Sequence, residues 1–256
     1  MESRNKRWKL RFFLVLWLAC LPGAALLVFH QVPEAIGNLL EPLPLPLGVV
    51  VLSALGQTAL LFGLMIGLGV LSAGRIGLKA PAFEAWAKGT SVLAAMRPQW
   101  VPGALGGLIG GLATLWVGRL LMPPALAAAS EDVAPMPLPI RLLYGGITEE
   151  LLLRWSVMSV LLWLIWRIFQ RGRGTPAVLA VWIAILGSAA LFGAGHLPYL
   201  RSITGALDAQ SVVYVMMGNG LFAVVAGVLF RRVGLEAAML AHMLFHLLVF
   251  AAESLA

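Results

Sequence analysis

The sequence predicts an all-α protein, a polytopic transmembrane helical bundle with about seven spans and one further helix at the membrane interface. Composition carries this prediction, because 61% of the 256 residues are apolar and only 11% are charged. The mean hydropathy is +0.93. A soluble globular domain has roughly 45–50% apolar and about 25% charged residues. Since each span needs about 20 apolar residues, we expect a single membrane domain over residues 1–256.

The N-terminal half, residues 1–139, is predicted to hold three membrane helices. They cover about residues 12–29, 47–71 and 100–122. A basic head precedes the first apolar run as in a signal peptide, but the run is longer than a usual signal core and favours a retained helix. Residues 75–97 mix Lys and Glu with apolar residues, which is typical of a helix lying at the interface.

Small residues on the third span predict close helix packing. Gly103, Gly107 and Gly111 repeat at four-residue spacing and therefore lie on one face of a helix. Such a face lets a second helix approach closely inside a membrane. We interpret these glycines as a packing feature.

Residues 140–250 are predicted to form the catalytic core, with four further spans. These cover about residues 140–169, 176–195, 212–230 and 235–250. Polar residues placed in the middle of such apolar runs are costly in hydrocarbon and mark functional sites. The polar residues discussed below lie within this half of the chain.

The distribution of Lys and Arg predicts the orientation. Basic residues cluster before the first span, between the second and third, after the fourth and after the sixth, and only Arg141 and Arg201 are assigned to the opposite loops. Since basic residues concentrate on the cytoplasmic side, the N-terminus is expected in the cytoplasm and the C-terminus outside. The net charge of +7 then reflects topology and contact with an anionic bilayer, and no nucleic-acid partner is expected.

The fourth span carries an acidic pair followed by an arginine. In Glu149-Glu150-Leu-Leu-Leu-Arg154, the second glutamate and the arginine are four residues apart and share one helix face. The arginine can therefore neutralise and orient Glu150, which leaves Glu149 free to contact water and act as a general base. A buried Glu–Arg pair that only fixes helix packing is the structural alternative.

Three histidines complete the set of polar residues in the later spans. His196 ends the fifth span, where a lone imidazole can also serve as an interfacial residue or as a partner of the helix dipole. His242 and His246 are four residues apart on the seventh span, so both project from one face. This spacing suits zinc when further ligands come from elsewhere, whereas two histidines bonded to neighbouring helices are the structural alternative.

Taken together and in order, these motifs resemble those of the CPBP family. It includes the type II CAAX prenyl endopeptidases and bacterial relatives linked to bacteriocin processing and self-immunity. The similarity covers about residues 140–250. It implies an intramembrane peptidase in which Glu149 and Glu150 are the paired glutamates, Arg154 orients them, and His196 and His242 are the two required histidines.

One position departs from the family pattern and bears on metal binding. His246 stands where the family commonly has Asn, a side chain assigned to stabilising the oxyanion of the tetrahedral intermediate. With His246 in place, Glu149, His196, His242 and His246 form a plausible zinc shell. The resemblance allows both a metallopeptidase, with Zn²⁺ as cofactor, and a metal-free glutamate peptidase.

The sequence therefore predicts an endopeptidase that cleaves a membrane-associated protein or peptide. The resemblance favours a bacterial plasma membrane, and the orientation makes prenylated substrates doubtful because the site would face outward. Two alternatives stay open. One is a non-catalytic immunity or scaffold protein that binds a peptide in the same cavity. The other is a proton-coupled carrier in which the glutamates and histidines form a relay.

Overall fold

The computed structural model describes residues 2–37, 45–131 and 133–255, and these residues form helices and connecting turns without any strand. Seven helical segments are long and apolar enough to cross a membrane, which confirms the all-α, seven-span prediction. In chain order the helices are α1 (Glu2–Gly37), α2 (Leu47–Ala73), α3 (Pro81–Lys88), α4 (Val92–Leu121), α5 (Pro124–Ser130), α6 (Leu138–Phe169), α7 (Val178–Gly195), α8 (Leu197–Thr204), α9 (Ala209–Arg232) and α10 (Leu235–Leu255).

The short α3 corresponds to the helix expected at the interface. It begins with Pro81 and ends at Gly89, whose φ of 71° places it in the left-handed region that favours glycine. The predicted segment was too long, because α4 begins at Val92 and includes Pro98 and Pro102. Prolines are tolerated within membrane helices, so they did not mark a boundary here.

The two ends of the bundle differ in charge as the sequence predicted. The basic end holds the start of α1, the connection that contains α3, the end of α6 and the end of α9. At the opposite end lie Arg141 and Arg201, together with Arg119 in the last turn of α4, which the sequence count had left out. Consecutive spans alternate in direction, and both α1 and α10 finish at this less basic end.

Helix α6 is the centre of the bundle and packs against α1, α2, α7, α9 and α10. Two stretches of it, Arg141–Glu149 and Leu151–Met158, are π-helical, with hydrogen bonds between residues five apart. Such helices are rare, usually a single turn, and frequent at functional sites. The two stretches flank Glu150, whose own φ of −66° and ψ of −37° are α-helical, so the acidic pair stands at their junction.

The glycine face of α4 supports α10 at close range. A Cβ atom placed on Gly103 would lie 2.9 Å from the Leu240 Cβ, and one on Gly107 would lie 2.6 Å from the Ala241 carbonyl oxygen. Only glycine therefore permits this approach, as the sequence predicted. Since His242 follows Ala241 directly, the backbone that carries one of the candidate site residues rests on this face.

A second close approach joins α1 to α6. The Thr148 hydroxyl donates a hydrogen bond of 2.8 Å to the Cys20 carbonyl, and a Cβ on Gly23 would lie 2.5 Å from the Leu143 carbonyl. Thr148 is fully buried and immediately precedes Glu149. Helix α1 thereby fixes the part of α6 on which the acidic pair stands.

Replacing Gly107 with alanine is expected to destabilise the bundle by about 1–3 kcal/mol, because the added methyl group meets α10 backbone. Thermal unfolding of the detergent-purified variant checks this. Gly56→Ala is the matched control, since nothing lies within 4 Å of a Cβ at that position in α2. Equal melting temperatures for the two variants would contradict the role assigned to the α4 glycines.

Candidate active site

The six predicted site residues come together where α6, α7 and α10 meet, beneath a cavity at the less basic end of the bundle. A cavity of about 1040 Å³ runs between the ends of α1, α6, α7 and α8. A recess of about 300 Å³ continues it toward α9 and α10. Glu149 and His196 line both spaces, whereas His242 and His246 line the recess. Glu150 and Arg154 are buried.

Glu150 is the residue that connects the buried groups. Its Oε1 accepts a hydrogen bond of 2.8 Å from the His242 Nδ1 and lies 3.3 Å from the Arg154 Nη1. Glu150 is 0% exposed and Arg154 is 1% exposed. The predicted pairing of these two residues is therefore present, and the structure adds His242 as a third partner that the sequence could not assign.

Arg154 depends on Glu150 for its charge compensation. Within the described part of the chain, none of its three guanidinium nitrogens makes a hydrogen bond. Its guanidinium carbon lies 5.0 Å from the centre of the Phe192 ring, a distance typical of a cation–π contact. Arg154 is thus held between one carboxylate and one aromatic face, both close to the cavity floor.

Glu149 is the acidic residue that reaches the cavity. Its side chain is 17% exposed, and its Oε2 lies 3.9 Å from the Nε2 of His242. That distance is too long for a direct hydrogen bond and is compatible with a bridging atom. The two neighbouring glutamates therefore divide as predicted, with Glu150 paired inside the protein and Glu149 facing the cavity.

Two of the three predicted histidines, His196 and His242, use Nδ1 for their hydrogen bonds. The His196 Nδ1 lies 2.8 Å from the Phe192 carbonyl oxygen; because that oxygen can only accept, the Nδ1 carries the proton. The His242 Nδ1 donates in the same way to the Glu150 carboxylate. In each neutral imidazole the Nε2 then keeps its lone pair and can accept a proton or bind a cation.

His246 stacks on His242 within the recess. The two ring centres are 4.8 Å apart and the ring planes are inclined by 14°. The Nε2 of His246 is buried and has no hydrogen-bond partner among the residues that the structure describes. Gly145 of α6 lies directly against this atom, and a Cβ there would overlap it. A larger residue at position 145 would therefore displace the imidazole from its present position.

The donor chemistry of these side chains fits a zinc ion, although their present spacing does not form a ready shell. In residues 2–37, 45–131 and 133–255, no group of three or more His, Cys, Asp or Glu side chains is close enough to hold a metal. However, His196 and His242 each bond an oxygen through Nδ1 and leave Nε2 free, as metal-binding histidines commonly do.

Several residues of the site were missed or assigned a lesser role from sequence. Tyr144 and Asn219, which are not among the six predicted site residues, line the recess. Arg141, counted only for topology, lines both spaces together with Glu253, which the sequence did not single out. The available signal was one charged residue near the outer end of each of two helices, Arg141 on α6 and Glu253 on α10. The sequence could not show that these two residues meet, because their contact depends on how α6 packs against α10.

The comparison with protein families finds a match in the C-terminal part of the chain, where the predicted site residues lie. Residues 133–248 match the family model described as Rce1-like, Type II CAAX prenyl endopeptidase. This range contains all six predicted site residues, and the resemblance found from the motifs is confirmed over it. No curated protein and no solved structure matches the chain.

The two glutamates are expected to differ in their effect on stability. Glu150→Gln leaves the buried Arg154 without its carboxylate and should cost about 3–5 kcal/mol. Glu149→Gln changes a side chain whose Oε2 lies 3.9 Å from the His242 Nε2, too far for a direct hydrogen bond. It should leave the melting temperature nearly unchanged. Thermal unfolding of the two isosteric variants in one detergent makes this comparison. An equal loss in both would contradict the division of roles between the glutamates.

Proposed function

We propose, from the premise that residues 133–248 are of the Rce1-like type II CAAX prenyl endopeptidase family, that Glu149 is the general base of this intramembrane protease. The match to this family identifies a CAAX-type protease that lies in a lipid environment and acts on a membrane-associated substrate. The observation that supports Glu149 is its position. It is a glutamate facing the cavity, its backbone is fixed by α1, and it lies opposite the free Nε2 of His242.

In the proposed reaction, Glu149 takes a proton from a water molecule that also contacts His196. The water oxygen attacks the carbonyl carbon of the substrate, and the electron pair of the C=O bond moves onto the oxygen. The C–N bond then breaks as Glu149 returns the proton to the leaving nitrogen. The products are a carboxylic acid and an amine, so no serine or cysteine nucleophile takes part.

His242 and His246 are proposed to stabilise the oxyanion of the tetrahedral intermediate. His242 can donate from Nε2 when that nitrogen also carries a proton, while its Nδ1 keeps the bond of 2.8 Å to the Glu150 carboxylate. His246 lines the same recess, and its Nε2 has no partner there among the described residues. Glu150 and Arg154 act as positioning residues. Glu150 contacts His242, Arg154 contacts Glu150 and the Phe192 ring, and neither lines the cavity or the recess.

A zinc-dependent form of the reaction is supported by the same residues. The ion would be held by Glu149, His196, His242 and His246. Bound zinc would lower the pKa of its water to about 7, so that this water could lose a proton at neutral pH. In that form, Glu150 and the Phe192 carbonyl keep their role, since they fix the ring orientation of His242 and His196.

The direction of the cavity supports a substrate that approaches from the external side of a bacterial plasma membrane. The cavity opens at the less basic end of the bundle, where α1 and α10 finish. Because basic residues concentrate on the cytoplasmic side of a membrane, the more basic end of the bundle is assigned to the cytoplasm together with the N-terminus. The site then faces outward. A membrane-associated protein or peptide on that side fits this geometry better than a cytoplasmic prenylated tail.

Cleavage of membrane-anchored peptides by the purified protein tests the proposal. Glu149→Gln should lower kcat by roughly 100- to 10,000-fold, because a general base contributes about that factor. Glu131→Gln, an exposed carboxylate at the same end of the bundle, is the matched control and should retain wild-type turnover. Wild-type protein that binds the peptides without cleaving them would instead support a scaffold role, and proton transport in liposomes would support a carrier.

Metal dependence is tested by elemental analysis and chelation of the purified enzyme. If zinc is used, we expect about one zinc ion per chain, loss of turnover with chelator and recovery on adding Zn²⁺. His196→Ala should then lower the zinc content, whereas the exposed His30→Ala should not. Full turnover in metal-free protein would support the glutamate-dependent form.

A further inference from the structure

We propose that Tyr144 is a further catalytic residue of this site. Its hydroxyl donates a hydrogen bond to the carbonyl oxygen of the scissile bond as that oxygen becomes negatively charged, and it keeps its own proton throughout the reaction. This inference rests on the proposed peptidase function. The arrangement that supports it is a phenol in the recess, without a hydrogen-bond partner among the described residues, on the same helix face as Glu149.

Tyr144 stands where the cavity and the recess meet. Its side chain lines both spaces, as those of Glu149 and His196 do. The next residue along α6, Gly145, lies directly against the Nε2 of His246. Tyr144 therefore borders the space between the proposed base and a histidine assigned to the oxyanion, which is where the attacked carbonyl group lies in the proposed reaction.

The π-helical turn aligns Tyr144 with the proposed base. Tyr144 and Glu149 are five residues apart, and both belong to the π-helical stretch Arg141–Glu149. In a π-helix, residues five apart are one turn apart and share a face, whereas in an α-helix they would point about 140° apart. The phenol and the Glu149 carboxylate are close enough to interact electrostatically. The rare helix geometry therefore brings two polar side chains to the same side of α6.

The recess has fewer ready hydrogen-bond donors than its polar lining suggests. An oxyanion is stabilised by donors that are already in place. The Nδ1 protons of His196 and His242 are engaged, the first with a backbone carbonyl and the second with the Glu150 carboxylate. In the neutral rings Nε2 then carries a lone pair and cannot donate. A tyrosine hydroxyl carries its proton at neutral pH and donates without any change of charge.

Two other donors that line the recess already have partners. Arg141 is paired with Glu253 and donates to a backbone carbonyl. The Asn219 Nδ2 donates a hydrogen bond of 2.9 Å to a backbone carbonyl of its own helix. The Tyr144 hydroxyl makes no hydrogen bond to any residue that the structure describes. It is therefore a donor that remains available to a substrate, beside the Nε2 of His246.

The variant Tyr144→Phe tests this assignment. Because the ring packs against the bundle core, the variant keeps that contact and removes the hydroxyl alone. We expect kcat to fall roughly 100- to 1000-fold, the factor typical of losing one oxyanion donor, while KM and the melting temperature stay close to the wild type. Tyr214→Phe is the matched control. Tyr214 is also partly buried but lines neither space, so its variant should retain wild-type turnover.

The split between the kinetic constants separates donation from packing. The Tyr144 side chain also interacts electrostatically with Cys20 of α1, and a residue that only holds α1 against α6 would act through stability. A wild-type kcat in Tyr144→Phe would overturn the proposal. So would a loss of activity that follows a lower melting temperature, or a rise in KM at unchanged kcat.

Binding of an uncleavable analogue keeps the test independent of turnover. One labelled pool of random peptides carries a central phosphinate group, whose anionic oxygen on a tetrahedral centre resembles the intermediate, and a second pool carries an amide there. By fluorescence anisotropy, wild-type protein should bind the phosphinate pool more tightly. Tyr144→Phe should bind that pool roughly tenfold to hundredfold more weakly, with its affinity for the amide pool unchanged.

The two measurements distinguish a failure of Tyr144 from a failure of the peptidase. If no peptide is cleaved but the phosphinate preference is present and is lost in Tyr144→Phe, the donor role stands and the peptidase proposal alone fails. If the wild type cleaves while Tyr144→Phe keeps both kcat and the preference, the peptidase stands and the assignment of Tyr144 is wrong. With neither cleavage nor preference in the wild type, both proposals are wrong.

Discussion

The Glu150 carboxylate is the constraint on which the site depends. A single oxygen of this side chain contacts both the Arg154 guanidinium on α6 and the His242 imidazole on α10. Because all three groups are buried, each would be costly alone, and together they fix the relative position of two helices. The same contacts settle which nitrogen of His242 faces the cavity, so one buried charge network determines both packing and chemistry.

The glycines and the π-helical turns of α6 make this network possible. Helix α4 brings α10 close because Gly103 and Gly107 have no side chains, and Gly145 leaves room for the His246 ring. The acidic pair stands where the two π-helical stretches of α6 meet. At this point Glu150 pairs with Arg154 inside the protein, and Glu149 lines the cavity.

The spans, the difference in charge between the two ends of the bundle and the clustering of the six polar residues could be predicted from the sequence, because apolar length and costly buried charges leave strong patterns. The partner of Glu150 on α10 could not, since the contact joins residues 92 positions apart. The π-helical geometry was also out of reach, as residue spacing had been read with the α-helical period. Arg141 was recognised only as a topology signal, because its pairing with Glu253 depends on how α10 ends beside α6.

The family match leaves out α1 and α4, yet the geometry of the site requires both. Leu27 of α1 lines the cavity and the recess, and the Thr148 hydroxyl beside Glu149 bonds the Cys20 carbonyl of the same helix. Helix α4 supports the backbone next to His242 through Gly107. Apart from the lining by Leu27, these contacts need a backbone carbonyl in α1 and glycine in α4, and they place no demand on most other positions of the two helices. The N-terminal half can therefore vary widely in sequence while it continues to hold the acidic pair and the histidines in place.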